Sequence, residues 1–207
     1  KTAYEIRPRD WSSDVCSSDL NQMAKVTTVG TFMMDLVAYT PRRPNNGETI
    51  RGESFSIALG GKGFNQAIAA GRAGVESAML GNIGTDNFGD DFMRAFQEEG
   101  VQASDIERHS DLGTGVGHIG VQTSDGDNAI IIIPQSNDRT DAAYIERHKK
   151  TILESDILLL QNELPKSGNI AAAKLAKENG VKVILTPARS EEHTSELQSR
   201  GLISYAV

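Results

Sequence analysis

Short apolar runs alternate along this chain with stretches of helical period. Lys25 to Phe32 is short and β-branched, which predicts a first buried strand. Gly47 to Ile50 and Glu53 to Leu59 alternate with period two and predict two more strands. Asn65 to Ala73 consists of good helix formers. Glu76 to Ile83 reads as a second core strand. Asp90 to Glu99 puts Phe92, Ala95 and Phe96 on one helical face. Thr114 to Val121 and Asn128 to Pro134 flank Asp125-Gly126-Asp127, a strong hairpin signal at a lid and sheet edge. Asp141 to Lys150 predicts a helix and Ser155 to Gln161 a buried parallel strand. Ser167 to Glu178 predicts a helix ended by Asn179-Gly180, and Val181 to Thr186 the next strand. Strand and helix in alternation with short turns give right-handed crossovers and an α/β fold with a parallel sheet.

The stretch Leu59 to Gly74 stands out within this pattern. Gly60, Gly61 and Gly63 form a loop nearly free of side chains, so another molecule can approach its backbone. A helix follows at once, which offers N–H groups and the positive end of a dipole. Lys62 adds a cation and Asn65 an amide, a combination suited to a polyhydroxylated or anionic small molecule. A tight turn before a core helix explains the glycines equally well. The spacing is neither a Walker A loop nor a dinucleotide fingerprint, which speaks against a nucleotide-binding dehydrogenase. Asp35 falls just past the first strand, at the strand end where open α/β sheets bind ligands. It can accept two hydroxyls, or serve as a turn aspartate.

Composition narrows the classes. The formal charge of the 207 residues is −7 and no basic run occurs, so nucleic acid and anionic membranes are poor partners. No apolar stretch reaches transmembrane length. A single cysteine, Cys16, excludes a disulfide framework. These features predict a cytoplasmic protein. His118 is a lone strand histidine and reads as structural, as does Asp86 in its turn.

Two terminal stretches break the pattern. Residues 1–22 repeat Ser-Ser-Asp without apolar periodicity, and they hold Cys16 and the only tryptophan, Trp11. Residues 189–207 open on Arg189 to Ser199, equally out of keeping. Both resemble in-frame translations of sequencing-adapter DNA. The expectation is a native part from residue 23 to residue 188 between two extraneous tails, so that Cys16 and His193 carry no chemistry.

Gly60-Gly61-Lys62-Gly63-x-Asn65-Gln66-Ala67 resembles the first signature of the ribokinase (phosphofructokinase-B) family of sugar kinases. The resemblance covers about Val26 to Ala188. It implies a three-layer α/β/α ribokinase-like parallel sheet with a small β-sheet lid, cut short at its C-terminal side. It further implies ATP-dependent phosphorylation of ribose or 2-deoxyribose at the 5-hydroxyl, with ATP and Mg2+ as cofactors and a monovalent cation as a further candidate. Kinases of fructose, ketodeoxygluconate or a nucleoside share the signature. A sugar-binding module without catalysis remains an alternative from another class. A homodimer through the lid is a family trait.

Residue by residue, the resemblance assigns sugar binding to Asp35, Gly61, Lys62, Asn65 and Glu163. Met33 replaces the asparagine of the family's Asn-x-Asp, and Thr186-Pro187-Ala188 replaces Asn-Pro-Ala. Methionine cannot serve a hydroxyl properly, and one unpaired sugar group costs about 1–3 kcal/mol. Met33 followed by Asp35-Leu36-x-x-Tyr39-Thr40 is similar to deoxyribokinases, where a sugar lacking that hydroxyl meets an apolar surface. Neutral drift explains Met33 as well. Beyond the glycine loop, the family's Gly-Ala-Gly-Asp and Asn-x-x-Glu motifs do not occur here. No catalytic residue is assigned, no metal ligand is assigned, and the polypeptide as it stands is expected to be inactive.

Overall fold

The computed structural model describes residues 23–187 and the backbone of Tyr205–Ala206. The remaining terminal residues, among them Trp11, Cys16 and His193, lie outside the described residues. The main sheet is parallel and has five strands in the order β11-β10-β9-β1-β4: β1 (Lys25–Val29), β4 (Glu76–Leu80), β9 (Ile157–Gln161), β10 (Lys182–Thr186) and β11 (Tyr205–Ala206). Helices cover both faces, giving the three layers expected. α1 (Lys62–Arg72) and α2 (Asn87–Glu99) lie on one side. α3 (Ala142–Arg147), α4 (Lys149–Leu153) and α5 (Lys166–Glu178) lie on the other.

Each face has its own core. Phe32, Phe64, Phe92 and Phe96 meet edge to face with centroids 4.9–5.9 Å apart, and Met34, Met79 and Ile83 fill around them. Across the sheet, Leu158, Leu160, Val183 and Leu185 pack on Ala172, Ala173 and Ala176 of α5. The small alanines let the helix lie close to the strands. Local chemistry fixes the helix starts: Asp86 caps α2 by accepting from Gly89 N at 2.9 Å, and Asp141 caps α3 by accepting from Tyr144 N at 2.9 Å.

The lid is a separate mixed sheet in the order β3-β2-β7-β8, formed by β2 (Met33–Thr40), β3 (Ser54–Gly60), β7 (Gly115–Gln122) and β8 (Asn128–Ile133). The expected hairpin is β7 with β8, antiparallel. β2 is central, antiparallel to β3 and parallel to β7. A pair of short strands, β5 (Asn82–Gly84) and β6 (Glu107–His109), completes the structure.

Five boundaries differ from the sequence reading. Gly47 to Ile50 is not a strand; Glu48 accepts from Asn45 N at 2.9 Å and pairs with Arg42, folding the segment into a turn. Residues 33–40 form a strand the pattern did not reveal, because Asp35 interrupts an otherwise apolar run. Glu76 to Ile83 is two strands broken at Gly81, whose N–H donates to the Tyr144 hydroxyl at 2.7 Å rather than to a ladder. Asp141 to Lys150 divides at His148, whose ring reaches Glu107 Oε1 at 2.8 Å. Finally, α1 begins at Lys62 instead of Asn65, for a reason that belongs to the site.

Candidate functional site

The C-terminal ends of β1 and β9, the start of α1 and the base of the lid converge on the glycine loop. Gly61 turns the chain with φ 97° and, having no side chain, cannot cap the helix itself. A Cβ there would stand 2.5 Å from Thr31 O. The cap comes from elsewhere: the Lys62 N–H donates to Glu163 Oε2 at 3.1 Å, across 101 residues. Phe64 N donates to Thr31 O at 3.3 Å. Gly63 therefore sits in the first helical turn, not in a loop, with its Cα against Gly30. The Lys62 and Phe64 donors, expected to be free for a ligand, are committed within the protein.

Glu163 is the hub. Its Oε2 also accepts from Thr31 Oγ1 at 2.7 Å, and its Oε1 pairs with Lys62 Nζ. Burial alone would raise this carboxyl; the Lys62 ammonium, the Thr31 hydroxyl and the Lys62 N–H together hold it below the ordinary range. Asp35 goes the other way. Burial first, and then the charge of Glu163, raise its carboxyl above the usual value. The two carboxyl groups thus share one field with opposite shifts, one saturated with donors and the other without a cation.

β2 presents Asp35 between two small neighbours. It pairs with Ala58 on one side and Gly117 on the other. A Cβ on Gly117 would stand 2.7 Å from Asp35 Oδ1, and Asp35 Oδ2 occupies the space beside Gly60. Only glycines there leave room for the carboxylate. Met33, two residues earlier on the same face, pairs with Gly60 and Gly115 and is buried.

The structure brings Met33, Asp35, Gly61, Lys62 and Glu163 together around the loop. Asn65 stands apart. It is exposed in the first turn of α1, beside Leu59, and lines a groove of about 610 Å³ between α1 and α2. Asp86 ties the α2 start to Thr114 by accepting from its N at 2.7 Å and its hydroxyl at 2.6 Å, a framework role. His118 is exposed on the outer lid face between Leu36 and Ile131.

Several residues here escaped the sequence reading. Thr31 and Gly30 follow β1 in an unremarkable Gly-Thr pair. Gln161 donates to Gln66 Oε1 at 2.5 Å, and Gln66 donates to Thr186 Oγ1 at 2.8 Å, so the ends of β9 and β10 are tied through α1. Among the described residues, no group of three or more His, Cys, Asp or Glu side chains is placed to hold a metal ion. None of the described helices is long and apolar enough to cross a membrane.

Known proteins resemble this chain in sequence and fold. A family model described as pfkB family carbohydrate kinase matches residues 23–206. Ribokinase of Lactococcus lactis is 40% identical over 176 residues, which is 84% of this chain and 58% of that protein. Deoxyribokinase of Salmonella typhi is 31% identical over 163 residues, which is 79% of this chain and 53% of that protein. A structure of Arabidopsis thaliana ribokinase complexed with ribose and ATP aligns with a TM-score of 0.75 at 30% identity, covering 81% of this chain and 54% of that one. The chain spans little more than half the length of the curated relatives it matches. With the glycine loop, the parallel sheet and the four-stranded lid in place, the chain belongs to the pfkB family of carbohydrate kinases.

Proposed function

We propose that this chain supplies the sugar-binding half of a kinase that transfers phosphate from ATP to the 5-hydroxyl of a pentose. One observation carries the reading: the glycine loop is flanked by Asp35 of the lid, whose carboxylate lies beside Gly60, and by Glu163 of the turn after β9, which is bound to Lys62 and whose charge reaches Asp35. Asp35, lacking a cation partner among its named neighbours, accepts two sugar hydroxyls. Lys62 donates from Nζ, Gly61 lets the sugar approach the backbone, and Asn65 turns its amide inward on binding. Met33 offers a thioether where a hydroxyl at C2 would need a partner, which favours 2-deoxyribose over ribose. Family resemblance to the L. lactis and Arabidopsis proteins supports the pentose class.

ATP and Mg2+ do not fit the residues present. The chain contains no Gly-Ala-Gly-Asp motif, and its one Asn-x-x-Glu spacing, Asn45 to Glu48, lies in a turn before the glycine loop with Glu48 paired to Arg42, so no step of phosphoryl transfer is assigned to its side chains. The intact enzyme uses both, with a monovalent cation as a further requirement to be tested. We place the protein in the cytoplasm. Phe55, Ile57 and Ile131 are 60%, 55% and 61% exposed on one lid face with Leu36 and His118, which supports a homodimer through the lid. Residues 23–188 are proposed as the native part. The family match and the β10–β11 pairing both reach past residue 188, so a genomic clone is the decisive check on that boundary.

The experiment is a phosphorylation assay on two proteins, this chain and the product of the natural reading frame extended past Ala188. The longer protein is expected to phosphorylate 2-deoxyribose or ribose with ATP, and the chain alone to phosphorylate neither. Phosphorylation by the chain alone would refute the division of labour. Inactivity of the longer protein on both sugars would refute the pentose assignment.

A further inference from the structure

We propose that Asn137, which lies on no strand of the site, sets the position of Met33 and thereby the choice between 2-deoxyribose and ribose. The proposal rests on the pentose reading above. Asn137 belongs to a short 3-10 helix, Gln135–Arg139, that follows the lid. It is 1% exposed. Its Oδ1 accepts from Phe32 N at 2.8 Å, and its Nδ2 donates to Phe32 O at 2.8 Å and to Pro134 O at 2.9 Å. One side chain thus replaces a strand partner for Phe32 at the point where the chain leaves the main sheet for the lid. The same Nδ2 lies 3.5 Å from Met33 Sδ.

The surroundings leave Met33 little freedom. A Cβ on Gly115 would stand 2.5 Å from Phe32 O and 2.8 Å from Met33 Sδ, so the thioether already fills that space. The 3-10 helix is itself anchored. Gln135 Nε2 donates to Thr114 O at 2.8 Å, Ser136 Oγ to Asn82 O at 3.2 Å, and Arg139 Nη1 lies 2.9 Å from His109 Nδ1. Methionine is flexible and fills gaps in several rotamers. A fixed amide against its sulfur selects one of them. Asn137 is therefore a positioning residue: it acts on the sugar through Met33 and Phe32.

The test uses the full chain with D-ribose and 2-deoxy-D-ribose as probes. Affinities are measured calorimetrically for wild type and Asn137→Ala, with [methyl-13C]methionine spectra in which Met33 is assigned by Met33→Leu. In the variant, the 2-deoxyribose-to-ribose affinity ratio is expected to fall by about fivefold or more, and the Met33 methyl signal to shift. A folded variant with an unchanged ratio and an unmoved Met33 methyl overturns the proposal. If Asn137→Ala does not fold, the wild type decides: its Asn137 side-chain amide and Met33 methyl signals are expected to move together on titration with 2-deoxyribose. A static amide overturns the role. Wild-type chain that binds neither sugar overturns the pentose reading, and the specificity role with it.

Discussion

Glu163 caps α1 through the Lys62 backbone while pairing with the Lys62 ammonium. A residue after β9 thereby fixes both the start of the helix and the cation of the site. The helix start and the Lys62 ammonium are one construction, so neither is disturbed alone. The Lys62 and Glu163 side chains are 30% and 15% exposed, which places the pair between a surface and a buried salt bridge.

Replacing Glu163 by Gln removes the charge and keeps the shape. The variant is expected to lose about 1–2 kcal/mol of stability, because three donors lose an ionised acceptor. Urea unfolding of the chain measures this; a change under about 0.3 kcal/mol would mean that solvent already screens the pair.

Acid sensitivity separates the two carboxyl groups. Glu163 has a depressed folded value, so its contribution is present above the unfolded carboxyl value and is lost as pH falls through the folded one. Asp35 has a raised folded value, so its charged form costs stability at neutral pH and its protonation on acidification relieves that cost. Wild type is expected to unfold more steeply than Glu163→Gln below about pH 4. Asp35→Asn is expected to be slightly more stable at pH 7, by no more than about 0.5 kcal/mol given its exposure, while losing sugar binding. Parallel acid-unfolding curves for all three proteins would contradict both assignments.

Gly63→Ala sets two effects against each other. Alanine is better than glycine within a helix by about 1 kcal/mol. A Cβ here, however, would stand 2.5 Å from Gly30 Cα and 2.8 Å from Thr31 N, both backbone atoms that cannot swing aside. The clash is expected to win, with a net destabilisation of about 2–3 kcal/mol in denaturant titration. A stabilised variant would show that β1 and α1 separate at no cost.

The outer lid face makes a prediction about assembly. Ile131→Asp replaces an exposed residue, so the monomer is expected to unfold within about 0.5 kcal/mol of wild type. Sedimentation velocity is expected to show a dimer for wild type and a monomer for the variant. Identical sedimentation of the two would remove the lid from the interface.

Much of this fold was legible because its signals are local. A period-two run marked β3, the Asp-Gly-Asp turn marked the hairpin of β7 and β8, and Asn179-Gly180 marked the end of α5. The errors arose where the deciding partner is remote in sequence. The start of α1 depends on Glu163, the break at Gly81 on Tyr144, and the β1–β2 junction on Asn137. No window around Lys62 contains the carboxylate that caps it. The candidate site residues came chiefly through a resemblance; from the residues alone, Glu163 is a plain loop residue. Asn65, taken from the same resemblance, is the one that lies apart.

The most direct test of the account is calorimetric titration of this chain with 2-deoxyribose and ribose, beside Asp35→Asn and Met33→Asn. The account predicts that wild type binds 2-deoxyribose more tightly than ribose. Asp35→Asn is expected to lose both by about tenfold or more, and Met33→Asn to move the preference toward ribose. Equal binding of both sugars by wild type and Asp35→Asn would contradict it, because the carboxylate that the lid builds between Gly60 and Gly117 would then not touch the sugar.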